Sequence, residues 1–146
     1  MAKFFTRDEA ERLLPELETA IREAIFLKQE HLEADRALQG ETQRIIMAGG
    51  ARVDRNKLLA QRERRDASAA GLQKSIAKVH AFGCLVKDLD VGLVDFPTLF
   101  REQEVYLCWK LGEPGIGYWH GVEEGFRGRK PIDRDFLDNH RGDREN

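Results

Sequence analysis

Two cysteines, Cys84 and Cys108, are all that the 146 residues contain. They form neither a CxxC pair nor a zinc-ligand ladder, so finger-type and thioredoxin-type readings drop out. Reduced thiols in the cytosol are the expectation. Serine is as scarce: Ser68 and Ser75 both fall in helical sequence, and no GxSxG elbow exists for a serine hydrolase. Long apolar runs are missing too. Charges follow Phe4 and Phe5 at once, which excludes a signal-peptide core, and nothing approaches the ~20 apolar residues of a membrane span. Charge of one sign is also lacking. The formal net charge is −2, which gives no global argument for nucleic acid or an anionic membrane.

Charge of both signs is plentiful, at 34% of residues, as long solvated helices would require. Thr6-Arg7-Asp8-Glu9 has the pattern of a capping box, so a helix should start at Arg7. Pro15 lies inside it, and Leu14, Leu17, Ile21, Ile25 and Leu32 form a narrow apolar stripe. This helix is expected to fade near Gly40, with a short second piece, "ETQRIIMA", ending at Gly49-Gly50. Another long helix should run from Asp54, its N-cap, to Phe82, with Gly83 as the C-terminal cap. Each long helix would span roughly 40 Å. Together they make a helical hairpin with little to lean on at its tip.

After Gly83 the pattern changes to short runs of β-branched and aromatic residues between turn signals: "LVKDLDVGLVDFP", "QEVYLCWKL" and "IGYWHGV". A small antiparallel sheet of three or four strands is expected. The division is a single domain over 1–146, with a helical hairpin at 6–82, a sheet at 84–132 and a fraying polar tail at 133–146.

The aromatic residues concentrate in "CWKLGEPGIGYWH", which holds both tryptophans, one of two tyrosines and one of two cysteines. Pro114-Gly115 fits a type II turn. That register pairs Leu111 with Tyr118, Trp109 with His120 and Leu107 with Val122. Val105, Leu107, Trp109, Leu111, Tyr118, His120 and Val122 would then share the face a helix covers. Tyr106, Cys108, Lys110 and Trp119 would lie on the other, so Cys108 and His120 would point apart. A one-residue slip reverses that assignment.

Gly83, "VKDLDVGLVDFP", "VYLCWKLGE", "YWH", "GFRGRKPI" and the opening "FFTRDEAERLLPEL" resemble the bacterial family of domain of unknown function 2203. The resemblance spans nearly the whole chain and is most specific in its C-terminal half. It implies an α+β shape and carries no catalytic residues across.

Several local patterns fail on chemistry. "DLDVG" at Asp88 starts like a calcium loop, but Gly92 and Leu99 stand where ligands belong. "GEPGIG" lacks the Lys-Ser/Thr of a phosphate loop. The basic run Arg52, Arg55, Lys57, Arg62, Arg64 and Arg65 is interrupted by Glu63 and Asp66 and has no aromatic side chains to stack on bases, so a solvated helix face, or one salt-bridged to the acidic first helix, is expected rather than nucleic-acid binding.

What remains is a candidate ligand-binding set: Asp95, Trp109, Glu113, Trp119, His120, Glu123, Arg127 and Arg129. In it His120 would carry protons or bind a ligand, Asp95 or Glu123 would partner it, and Arg127 or Arg129 would clamp an anion. A divalent metal could use His80, Asp95, His120 and Glu123, although no cofactor is identifiable from spacing. The favoured reading is a non-enzymatic binding or assembly module that self-associates through its helices. Its expected partners are a second copy of the chain and, at the sheet end, a small anionic ligand or a protein. The alternative is a small metal-dependent or anion-binding enzyme.

Overall fold

The computed structural model describes residues 3–50 and 54–143, and Arg52 of the basic run lies outside them. It is an α+β fold with two long helices, α1 (Arg7–Met47) and α2 (Arg55–Ala81), followed by an antiparallel sheet. The capping box forms as its residue types dictate. The Glu9 amide donates to Thr6 Oγ1 (3.1 Å), and the Thr6 amide donates to Glu9 Oε1 (3.0 Å). Thr6→Ala is expected to cost about 1 kcal/mol in urea unfolding. A loss below a few tenths would show that the box contributes nothing.

Helix α1 does not break at Gly40; it continues to Met47. A lone glycine costs a helix only about 1 kcal/mol, and the turns around it are supported. Leu38 and Glu41 are buried, and Glu41 takes salt bridges from Lys57 (2.8 Å) and Arg44 (2.8 Å). The hydrogen bond from Lys57, then that from Arg44, holds the Glu41 carboxyl below its ordinary range despite partial burial. The helix stops where Gly49 and Gly50 take positive φ (68° and 74°). Asp54 caps α2 by accepting from the Lys57 amide (3.1 Å).

The chain divides into two compact units, 23–75 and the combination of 1–22 with 76–146. In the first, α1 and α2 meet along a seam of small residues, with Ala24, Ala34, Ser68 and Ser75 buried and Gly71 against Leu27. Of the basic run, Arg64 pairs with α1 through Glu30 (3.0 Å) and Glu33 (2.9 Å), as Lys57 does through Glu41, while Arg65 binds Asp66 within α2 (3.1 Å).

Among the described residues the second unit holds six strands rather than three or four: β1 (Leu85–Asp88), β2 (Leu93–Phe100), β3 (Gln103–Lys110), β4 (Tyr118–Gly121), β5 (Lys130–Pro131) and β6 (His140–Arg141). The order is β1-β2-β3-β4-β5, with β6 also on β2. β3 pairs along all of β2. The other edge of β2 is shared: β1 pairs with Leu93 to Asp95, the Phe5 amide donates to Pro97 O (2.7 Å), and β6 pairs with Leu99 and Phe100. Phe5 is fully buried and meets Phe96 edge-on at 5.4 Å.

Residues 133–143 of the expected tail do not fray, and 144–146 lie outside the described residues. Asp133 accepts from the Phe136 amide (2.8 Å) to cap a short helix, α3 (Arg134–Asn139), which leads into β6. This segment also steadies the β2–β3 turn. Arg101 and Glu102 both sit at positive φ (51° and 66°), a twist that suits a two-residue hairpin but disfavours side chains with Cβ. Asp135 accepts both contacts from the Arg101 guanidinium (2.7 and 2.9 Å), and Arg141 binds both oxygens of Glu102 (2.8 and 2.7 Å).

Candidate functional site

The register between β3 and β4 decides which side chains meet. Tyr106 pairs with His120, Leu107 with Trp119 and Cys108 with Tyr118. Leu107 was expected opposite Val122; it lies opposite Trp119, an odd displacement of three residues that exchanges the two faces. The reason lies in the turn. Pro114-Gly115 is not its centre. The Glu113 amide closes a turn on Lys110 O (3.0 Å), with Gly112 at φ 101° in its third position. The chain then runs through a longer loop pinned to α1. The Ile116 amide donates to Glu11 Oε1 (3.1 Å), and Arg7 Nε donates to Ile116 O (3.0 Å).

Cys108 and His120 therefore share a face, contrary to the expectation that they point apart. Asp95, directly opposite Cys108 on β2, joins them. All three are buried, and their ligand atoms lie within 4.8 Å of one another. His120 Nε2 is 3.0 Å from Asp95 Oδ1, and His120 Nδ1 is 2.8 Å from the Gly121 carbonyl. A carbonyl only accepts, so Nδ1 carries hydrogen. The Nε2–Oδ1 contact needs one further proton, on either atom.

Burial pushes the Cys108 thiol up to about 12, aided by the Asp95 charge and by donation to Asp95, against the opposing charge of Arg129. A thiol held that firmly is no nucleophile at neutral pH. A Cys–His catalytic pair is thus disfavoured by desolvation and not by opposed faces. Burial likewise raises Tyr106, with help from Glu104 and Asp95. Its ring meets His120 at 5.6 Å, and Lys87 Nζ lies 5.0 Å from the Tyr106 ring centre.

The other candidates are dispersed. Arg129 packs into the protein: it binds Glu113 (2.6 Å), donates to Cys108 O (3.3 Å) and lies over the rings of Tyr118 (4.0 Å) and Phe126 (4.9 Å). Arg127 and Glu123 are exposed. Trp109 is buried and donates from Nε1 to Glu113 O (3.0 Å). Trp109 and Glu113 also border a groove of 560 Å³ beside Glu11, Glu18 and Arg22. Trp119 lies on the opposite face from His120, stacked on Phe136 at 5.0 Å. Of the four expected metal ligands, only Asp95 and His120 come together. His80, at the end of α2, and Glu123 are exposed, and neither belongs to the buried group. Cys108 takes part instead. Its signal was present in the alternation of "VYLCWK", but the register needed to use it depended on Glu11 and Arg7, about a hundred residues away.

The family model described as "Uncharacterized conserved protein (DUF2203)" matches residues 3–132. No curated protein and no solved structure matches the chain. The chain belongs to the DUF2203 family.

Proposed function

We propose that this DUF2203 member is a non-enzymatic assembly module whose hairpin unit pairs with a second copy of the chain. One observation carries the reading: the hairpin has its small side chains inside and several large apolar ones outside. Ala24, Ala34, Ser68 and Ser75 are buried in the seam, with Leu38 the one large apolar side chain buried among the unit's described residues, while Phe26, Leu32 and Leu59 are 60%, 43% and 53% exposed. Such a seam buries little apolar area, and long helices in water depend on an apolar face packed against something.

Much of the opposite charge of the two helices is already matched within the unit, where Arg64 binds Glu30 and Glu33 and Lys57 binds Glu41. What is left for a second copy to cover is the apolar surface, and a two-fold axis sets that surface against itself. A cytosolic location belongs to the same reading. Both thiols are free and buried, and among the described residues no helix is long and apolar enough to cross a membrane.

The test is sedimentation velocity on the untagged protein and on Phe26→Glu/Leu32→Glu/Leu59→Glu. The wild type should sediment as a dimer at micromolar concentration and the variant as a folded monomer. A dimer that persists in the variant would refute the assigned surface.

A further inference from the structure

We infer that Asp95, Cys108 and His120 form a divalent transition-metal site, with zinc the best-suited ion. The inference is independent of the assembly reading. It starts from donor chemistry. One carboxylate, one thiol and one imidazole converge from three adjacent strands, β2, β3 and β4, with every ligand atom within 4.8 Å of the others. Mixed sulfur, nitrogen and oxygen donors match zinc, whose bonds of about 2.0–2.3 Å set ligand atoms roughly 3.3–3.8 Å apart. The Nε2–Oδ1 separation of 3.0 Å is already close to one such edge. The sulfur has only to draw in from a position inside the same cluster.

Two further features point the same way. His120 donates from Nδ1 to the Gly121 carbonyl at 2.8 Å. Zinc-binding histidines make such a contact with the nitrogen that does not bind metal, and it fixes the ring so that Nε2 faces the ion. Charge also balances. Carboxylate, thiolate and neutral imidazole around a divalent cation sum to zero charge. Binding forms M–O, M–S and M–N bonds, and the protons those donor atoms carried pass to solvent, so no uncompensated charge is left buried. Thiolate formation, costly for a buried sulfur alone, is driven by the metal–sulfur bond. Among the described residues no fourth His, Cys, Asp or Glu completes the group, so the fourth position falls to water or a small exogenous ligand.

Cobalt(II) is the probe, because a thiolate–cobalt bond absorbs in the near ultraviolet and cobalt accepts the zinc geometry. The full, untagged chain is unfolded and refolded under reducing conditions with one equivalent of cobalt(II), which lets the ion reach a buried site. The wild type and Cys84→Ser should show the thiolate charge-transfer band, and zinc should abolish it. Cys108→Ser and Cys108→Ala, each checked for folding by circular dichroism, should lose it. A refolded wild type without the band overturns the inference. So does a band that survives in either folded Cys108 variant.

Discussion

His120→Ala is expected to destabilise the metal-free protein by about 3–5 kcal/mol, because it leaves a buried carboxyl without its partner and a cavity where the ring stood. The ring occupies a position where Asp95, 1% exposed, takes its hydrogen bond at 3.0 Å. Alanine leaves that carboxyl with the Cys108 thiol as its remaining neighbour in the group, and opens a void among β2, β3 and β4. The pair acts as a unit, so Asp95→Ala/His120→Ala should lose clearly less than the two single losses added together. Urea unfolding of the three variants measures this. A single loss under 1 kcal/mol, or strict additivity, would mean that the two groups are not coupled.

Phe136→Ala should cost a similar amount, about 3–5 kcal/mol, the usual result of truncating a buried aromatic ring. Phe136 is 1% exposed and sits in a stack: Phe100 at 4.9 Å, Trp119 at 5.0 Å and His140 at 5.2 Å. Its loss also loosens β6 from β2. His140 then no longer holds its place, where its Nε2 accepts the Arg7 amide at the start of α1 (3.0 Å). Tryptophan emission reports the change directly, because Trp119 is in the stack. A variant of unchanged urea midpoint and emission would show that the segment after residue 133 is dispensable.

These two sites also mark where sequence reasoning succeeds and stops. Local chemistry was legible. Thr6 and Glu9 are three residues apart and cap each other; Asp54 caps α2; Gly49-Gly50 ends α1. Each outcome is settled by residues within one or two turns. Asp88 accepting from the Asp90 amide (3.0 Å) is of the same kind, a turn and not a calcium loop.

What was misread depends on distant partners. Gly40 looked like a break because the support for Glu41 comes from Lys57. Residues 133–143 looked like a tail because Phe136 is a lone aromatic in polar sequence, while its neighbours Phe100 and Trp119 lie far back along the chain. The hairpin register was misplaced because Pro114-Gly115 is a good local turn, yet Glu11 and Arg7 hold the loop in another shape. An odd displacement in a strand exchanges every side chain between faces. That single error separated Cys108 from His120 and hid the buried group, although Asp95 and His120 had both been singled out by residue type.

The assembly reading is tested most directly by the concentration dependence of the mass of the untagged wild-type protein at sedimentation equilibrium. Twice the chain mass is expected at micromolar concentration, falling toward the monomer only on strong dilution. A monomer across the whole range would contradict it, and would leave Phe26, Leu32 and Leu59 as an exposed surface with no second copy to cover it.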